Sequence, residues 1–118
     1  MIPFWLLRNV LYALGLWMAG AAALATPSGA DLARACENAL ADGFAGIQGR
    51  MCAWYVTPCD CAAGRKPEAP RVCLPGTMAT EALAREVVAG LATRPELQSR
   101  DADVAAAMIL SGTYPCPQ

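Results

Sequence analysis

The chain has 118 residues, nine Lys/Arg against ten Asp/Glu, six cysteines and no histidine. That length holds one small domain with little core, and the absence of a basic stripe excludes nucleic acid as an expected partner. Without histidine, Ser-His and Cys-His nucleophile arrangements are unavailable, no cofactor site is visible, and the chain reads as a non-enzyme.

Met1 to Ala25 carry one charge, Arg8, then the apolar run Val10 to Leu24, which closes on Ala23-Leu24-Ala25. The last three residues have the A-x-A form of a signal-peptidase site, so residues 1–25 are expected to be a signal peptide and 26–118 the mature domain. An uncleaved membrane anchor is the competing reading, because the run is nearly long enough to span when Ile2 to Leu7 are counted in. The short core after Arg8 and the cleavage motif directly behind it favour removal, leaving no membrane attachment. Export to the periplasm or the extracellular space would put all six cysteines in an oxidising compartment, where disulfides persist.

The mature part is rich in alanine, the strongest helix former, and poor in β-branched and aromatic runs. In the first predicted helix Leu32, Ala35, Cys36, Ala39 and Leu40 form an apolar stripe, with Ser28 or Asp31 to cap its start and Gly43 to end it. A second helix starts near Phe44 or Ile47, is expected to place Ile47, Met51, Trp54 and Tyr55 on one side, and must stop at Pro58. From Pro58 to Gly76 prolines, glycines and cysteines mark a long irregular connection. The third helix begins near Thr77 or Thr80, carries Leu83, Val87, Val88 and Leu91, and stops at Thr93-Arg94 ahead of Pro95. The fourth begins after Ser99 or Asp101, carries Val104, Met108 and Ile109, and is expected to close at Gly112. The fold class is therefore all-α: a small four-helix, disulfide-stapled domain of two antiparallel helix pairs, since the connections at Gly43 and Pro95 are short.

Read in order, Cys36, the segment Cys52-Ala53-Trp54-Tyr55-Val56-Thr57-Pro58, Cys73-Leu74-Pro75, Pro95-Glu96 and Tyr114-Pro115-Cys116 resemble the Rap/Tai family of type VI secretion amidase immunity proteins. The family typically shows a cysteine on its first helix, C-x-G-Y-I-x-G on its second, C-x-P before the third, P-E between the third and fourth, and F-P-C at the end. Trp54 and Pro58 here replace two family glycines, and Cys59 with Cys61 is an addition. The resemblance implies a small helical periplasmic protein, often a homodimer, whose partner is a peptidoglycan amidase effector.

Antiparallel packing of the third and fourth helices would bring Cys73 to Cys116, and the turn at Gly43 would bring Cys36 to Cys52. Six cysteines nevertheless allow fifteen connectivities, and spacing alone does not choose among them. Cys59-Asp60-Cys61 has the spacing of a redox or metal site, but no His or basic residue adjoins it to lower a thiol pKa, so a structural role is expected. The aromatic residues Phe44, Trp54, Tyr55 and Tyr114 are expected in the core or at a dimer interface.

Two segments could enter a partner's cleft. One is Thr93 to Asp101, with Arg94, Glu96, Arg100 and Asp101; the other is Ala62 to Val72, with Arg65 and Lys66, where flanking disulfides would lower the entropy lost on binding. The expected function is inhibition of a peptidoglycan-cleaving amidase toxin by occlusion of its active site. A structural or chaperone-like periplasmic role and a small thiol module at Cys59 and Cys61 are the alternatives. N-terminal sequencing of the exported protein is expected to start at Thr26, and a chain retaining Met1 in the membrane fraction would contradict the signal-peptide reading.

Overall fold

The computed structural model describes residues 26–58 and 66–117, so the expected signal segment, Cys59, Cys61 and Arg65 lie outside the described residues. Helix α1 spans Gly29–Asp42, α2 Gly46–Val56, α3 Thr80–Thr93 and α4 Ala102–Thr113, with a 3₁₀ helix at Pro95–Ser99 between the last two. Among the described residues there is no strand, only an isolated antiparallel bridge between Ser28 and Asp101.

Two of the helical starts have a clear local cause. Ser28 caps α1 by a reciprocal pair of bonds: its Oγ accepts from Asp31 N (3.2 Å), and its own N–H donates to Asp31 Oδ2 (3.0 Å). This capping box satisfies two backbone donors that a helix start otherwise leaves open. Those hydrogen bonds from Ser28, its backbone N–H foremost, hold the Asp31 carboxyl below its usual range, with help from Arg34 at 2.5 Å. Pro95 stands at the first position of the 3₁₀ helix, where its missing N–H costs nothing.

The core is the meeting of α1, α3 and α4, closed by Cys52 and Val56 of α2. Leu32, Ala35, Cys36 and Ala39 of α1 lie against Leu83, Val87 and Leu91 of α3 and Ala105, Ala106 and Leu110 of α4, all buried. Leu40 flanks them half-buried, so the expected α1 stripe is the observed one. The irregular segment before α3 is tied in by Val72, Leu74 and Met78, which pack on the core, and by Cys73 N donating to Tyr114 O (3.0 Å).

Disulfides join Cys36 to Cys52 and Cys73 to Cys116, with Cα atoms 4.9 Å apart in each pair. Cys36 and Cys52 stand equidistant from Phe44 in sequence, so the bond staples α1 to α2 as a hairpin. Loop closure over separations of 16 and 43 residues corresponds to about 3 and 4 kcal/mol of unfolded-state entropy. That is large for a domain with a core this small.

Two close approaches require glycine. A Cβ on Gly29 would strike the carbonyl oxygen of Leu97, and one on Gly49 would strike the backbone of Phe44. The first lets the start of α1 lie on the 3₁₀ helix, and the second lets α2 fold back on its own turn, where Phe44 adopts φ 65°.

Three expectations are corrected. Gly112 does not close α4, which continues through Thr113 and ends at Tyr114, whose N–H donates to Leu110 O (2.8 Å). Asp101 precedes α4, but its side chain makes no cap, being engaged by Lys66 instead. The buried side of α2 is Gly49, Cys52 and Val56; Ile47 and Trp54 point to solvent, while Met51 and Tyr55 are half-buried. The disulfide fixes the helix rotation by burying Cys52, and the larger apolar residues follow the helical period outward.

Gly29→Ala is expected to destabilise by about 1–3 kcal/mol in denaturant unfolding, since backbone rather than a yielding side chain opposes the new methyl. The Asp31 pKa is lower in the folded state than in the unfolded, so its contribution is present above the unfolded value and is lost as pH falls through the folded one. The melting-temperature gap between the native chain and Asp31→Asn is therefore expected at neutral pH and should close in strong acid.

Candidate protein-binding surfaces

The short connection expected between α3 and α4 is a braced ridge built on the 3₁₀ helix. Leu97 is buried beneath it, Gln98 Nε2 donates to Leu91 O (3.1 Å), and Ser99 Oγ donates to Glu96 O (3.2 Å). Its far end is lashed to the segment that opens α1: Gly29 N donates to Arg100 O (2.8 Å) and Ala102 N to Pro27 O (2.9 Å). On top, Pro95, Glu96, Ser99 and Arg100 are exposed, with Arg94 Nε 3.2 Å from Glu96 Oε1.

The two segments singled out in the sequence meet here. Lys66 Nζ donates to Asp101 Oδ2 at 2.6 Å and lies 3.4 Å from Asp103 Oδ1. The bond to Asp101 holds the lysine pKa above its ordinary value, Asp103 adds to it, and partial desolvation opposes. Four of the sequence-selected residues, Arg94, Glu96, Arg100 and Asp101, thus share the ridge and its base, and Lys66 buttresses it. Asp103 was missed, since nothing local in sequence links it to Lys66.

Trp54 does not take the core place that was one of its two expected settings and stands on a second exposed surface. On α2, Ile47 is 79% and Trp54 78% exposed, whereas Phe44, Tyr55 and Tyr114 are half-buried against the core as expected. Arg50, exposed between Ile47 and Trp54, has no ion pair among the described residues. A shallow groove lined by Asn38, Asp42, Ile47 and Gln48 adjoins the start of this helix.

At the other end, Tyr114 Oη donates to Glu86 Oε1 (2.6 Å), closing the tail beside the Cys73–Cys116 bond, while Glu86 Oε2 is buried without a hydrogen-bond partner among the described residues. This bond to a carboxylate, with some burial, raises the phenol pKa. No group of three or more Cys, Asp or Glu among the described residues is placed to hold a metal ion.

The described residues form an all-α domain stapled by two disulfides, with a braced charged ridge and an exposed apolar helix face. The particular family follows from comparison: the profile of the Rap1a immunity proteins matches residues 28–116, and the chain belongs to that family. Membership implies a protein partner, a toxin, and a binding role. No curated protein and no solved structure gives a significant match.

The Lys66 contribution is fully present below the unfolded lysine pKa of about 10.4 and is lost as pH rises through the higher folded value. Near neutrality Lys66→Met is expected to speed amide exchange at Ala102 and Gly29 several-fold, with the difference shrinking in high salt because both partners are partly solvated. Unchanged exchange would show that the ridge is held by its backbone bonds alone.

Proposed function

We propose that this protein is exported to the periplasm and there protects its cell by binding a peptidoglycan-cleaving amidase toxin and blocking the toxin's active site. The ridge Pro95–Asp101 is the blocking element. Family membership supports the toxin as partner, and the preorganised ridge is the observation that supports occlusion. A cleft-filling segment loses less conformational entropy on binding when it is already fixed. Here Leu97 anchors it from below, Pro27 and Gly29 hold one end, and Lys66 braces its base.

The charges on its crest, Arg94, Glu96 and Arg100, then set register and discrimination more than raw affinity. The protein carries out no chemical step on this reading: inhibition is the exclusion of substrate by a bound surface. The resemblance to amidase immunity proteins is what selects the toxin's chemistry.

The test is survival of cells expressing, in the periplasm, a peptidoglycan amidase effector from the same genome. Co-expression of the chain with residues 1–25 is expected to restore growth, and a chain lacking them is expected to fail. The pair Glu96→Arg and Arg100→Glu should weaken inhibition at least tenfold with an unchanged melting temperature. Undiminished killing in the presence of the folded, exported chain would refute the reading.

A further inference from the structure

The two disulfides differ in the access they give to solvent. Cys36 and Cys52 are fully buried, whereas Cys73 and Cys116 are both partly exposed, with Arg71, Pro75, Pro115 and Pro117 exposed around them. Thiol–disulfide exchange requires an attacking thiolate to reach a sulfur, so burial shields the first pair and exposure opens the second.

The accessible bond also stands where little else holds the chain. Pro115 and Pro117 have no N–H to offer, and past Tyr114 the disulfide is the bond that ties down the tail among the described residues. From Lys66 to Ala79, one backbone hydrogen bond among the described residues reaches a distant part of the fold, from Cys73 N to Tyr114 O (3.0 Å). Cys73 therefore carries both the covalent and the backbone attachment of that segment. Seven residues upstream, Lys66 closes the base of the ridge on Asp101 and Asp103.

We infer that Cys73–Cys116 is a redox-sensitive latch on the ridge: a dithiol reductant opens it selectively, and the 66–79 segment then lifts more often and carries Lys66 off Asp101 and Asp103. One thiolate of the dithiol attacks a sulfur of the pair, forms a mixed disulfide and displaces the other cysteine as a thiolate. The second thiol of the reductant then attacks the reductant's own sulfur in that mixed disulfide and frees the remaining cysteine. Two electrons and two protons pass to Cys73 and Cys116, and the reductant leaves as its disulfide.

The fold outlasts this step, because the Cys36–Cys52 bond and the core around it are untouched. Without its covalent crossing the segment opens locally at lower cost, and the partly solvated Lys66–Asp101 pair is too weak to hold it alone. Reclosure is built in, since the Cys73 N–Tyr114 O bond and the Tyr114–Glu86 bond keep both sides of the broken bond in place in most molecules.

Dithiothreitol added to the folded, oxidised chain without denaturant, followed by alkylation and peptide mapping over time, tests the selectivity. Cys73 and Cys116 are expected to be trapped at least about tenfold faster than Cys36 and Cys52, which react only after local unfolding. Equal rates, the reverse order, or no reaction at Cys73 and Cys116 short of unfolding would overturn the inference. The same order is expected with Cys59→Ser and Cys61→Ser, which removes exchange with that pair. Amide exchange tests the link to the ridge. In the selectively reduced chain, and in the Cys73→Ser/Cys116→Ser chain that needs no reductant, exchange at Ala102 and Gly29 is expected to rise several-fold, and to rise no further when Lys66→Met is already present. Unchanged exchange at those amides, or the same rise on top of Lys66→Met, would also overturn it. Neither measurement involves a toxin, so the latch and the proposed function stand or fall separately.

Discussion

The buried disulfide between Cys36 and Cys52 is the constraint from which the arrangement of the surface follows. Both cysteines are fully buried, so the bond fixes the spacing of α1 and α2 and also the rotation of α2 about its axis. Once Cys52 faces inward, helical periodicity leaves no freedom for the rest. Gly49 and Val56 turn in, and Ile47, Arg50 and Trp54 turn out. A helix held by apolar contacts alone would bury its largest residues; one held covalently by a small residue does not have to.

The other end of the molecule depends on ties between segments distant in sequence. The capping box at Ser28 starts α1, and the adjoining backbone pairs with Arg100 and Asp101 across the fold. Gly29 makes that approach feasible, since any side chain there would meet the Leu97 carbonyl. Lys66 then closes the base against Asp101 and Asp103, and Cys73–Cys116 fastens the two ends of the α3–α4 pair. In a domain with so little core, these ties convert a connection between helices into a fixed crest, which is the property an occluding element needs.

Much of this was legible in the sequence wherever the signal is local. Ser28, Gly43, Pro58 and Pro95 are punctuation, and helix bounds followed from them to within a residue or two. The two disulfides are the pairs that helix order suggested, although spacing alone left fifteen connectivities open. The face of α2 was not legible, because its inward residues are small and its outward ones large, so hydrophobic spacing pointed the wrong way and tertiary geometry overrode it. The bracing of the ridge was equally hidden. Lys66 meets Asp101 and Asp103, and Leu97 meets Gly29, over separations that carry no periodic trace. Of the charged residues picked from the two connecting segments, Arg94, Glu96, Arg100, Asp101 and Lys66 share one surface, since Lys66 returns to Asp101 at the base of the ridge.

The central claim is that the ridge is what the toxin covers. Hydroxyl-radical footprinting of the oxidised chain, alone and saturated with its toxin, addresses that surface directly. The account predicts protection of the Pro95–Arg100 segment, with Tyr114 and Met78 unchanged. Protection confined to the Tyr114 end of the molecule, with Pro95–Arg100 as reactive in the complex as in the free chain, would contradict it.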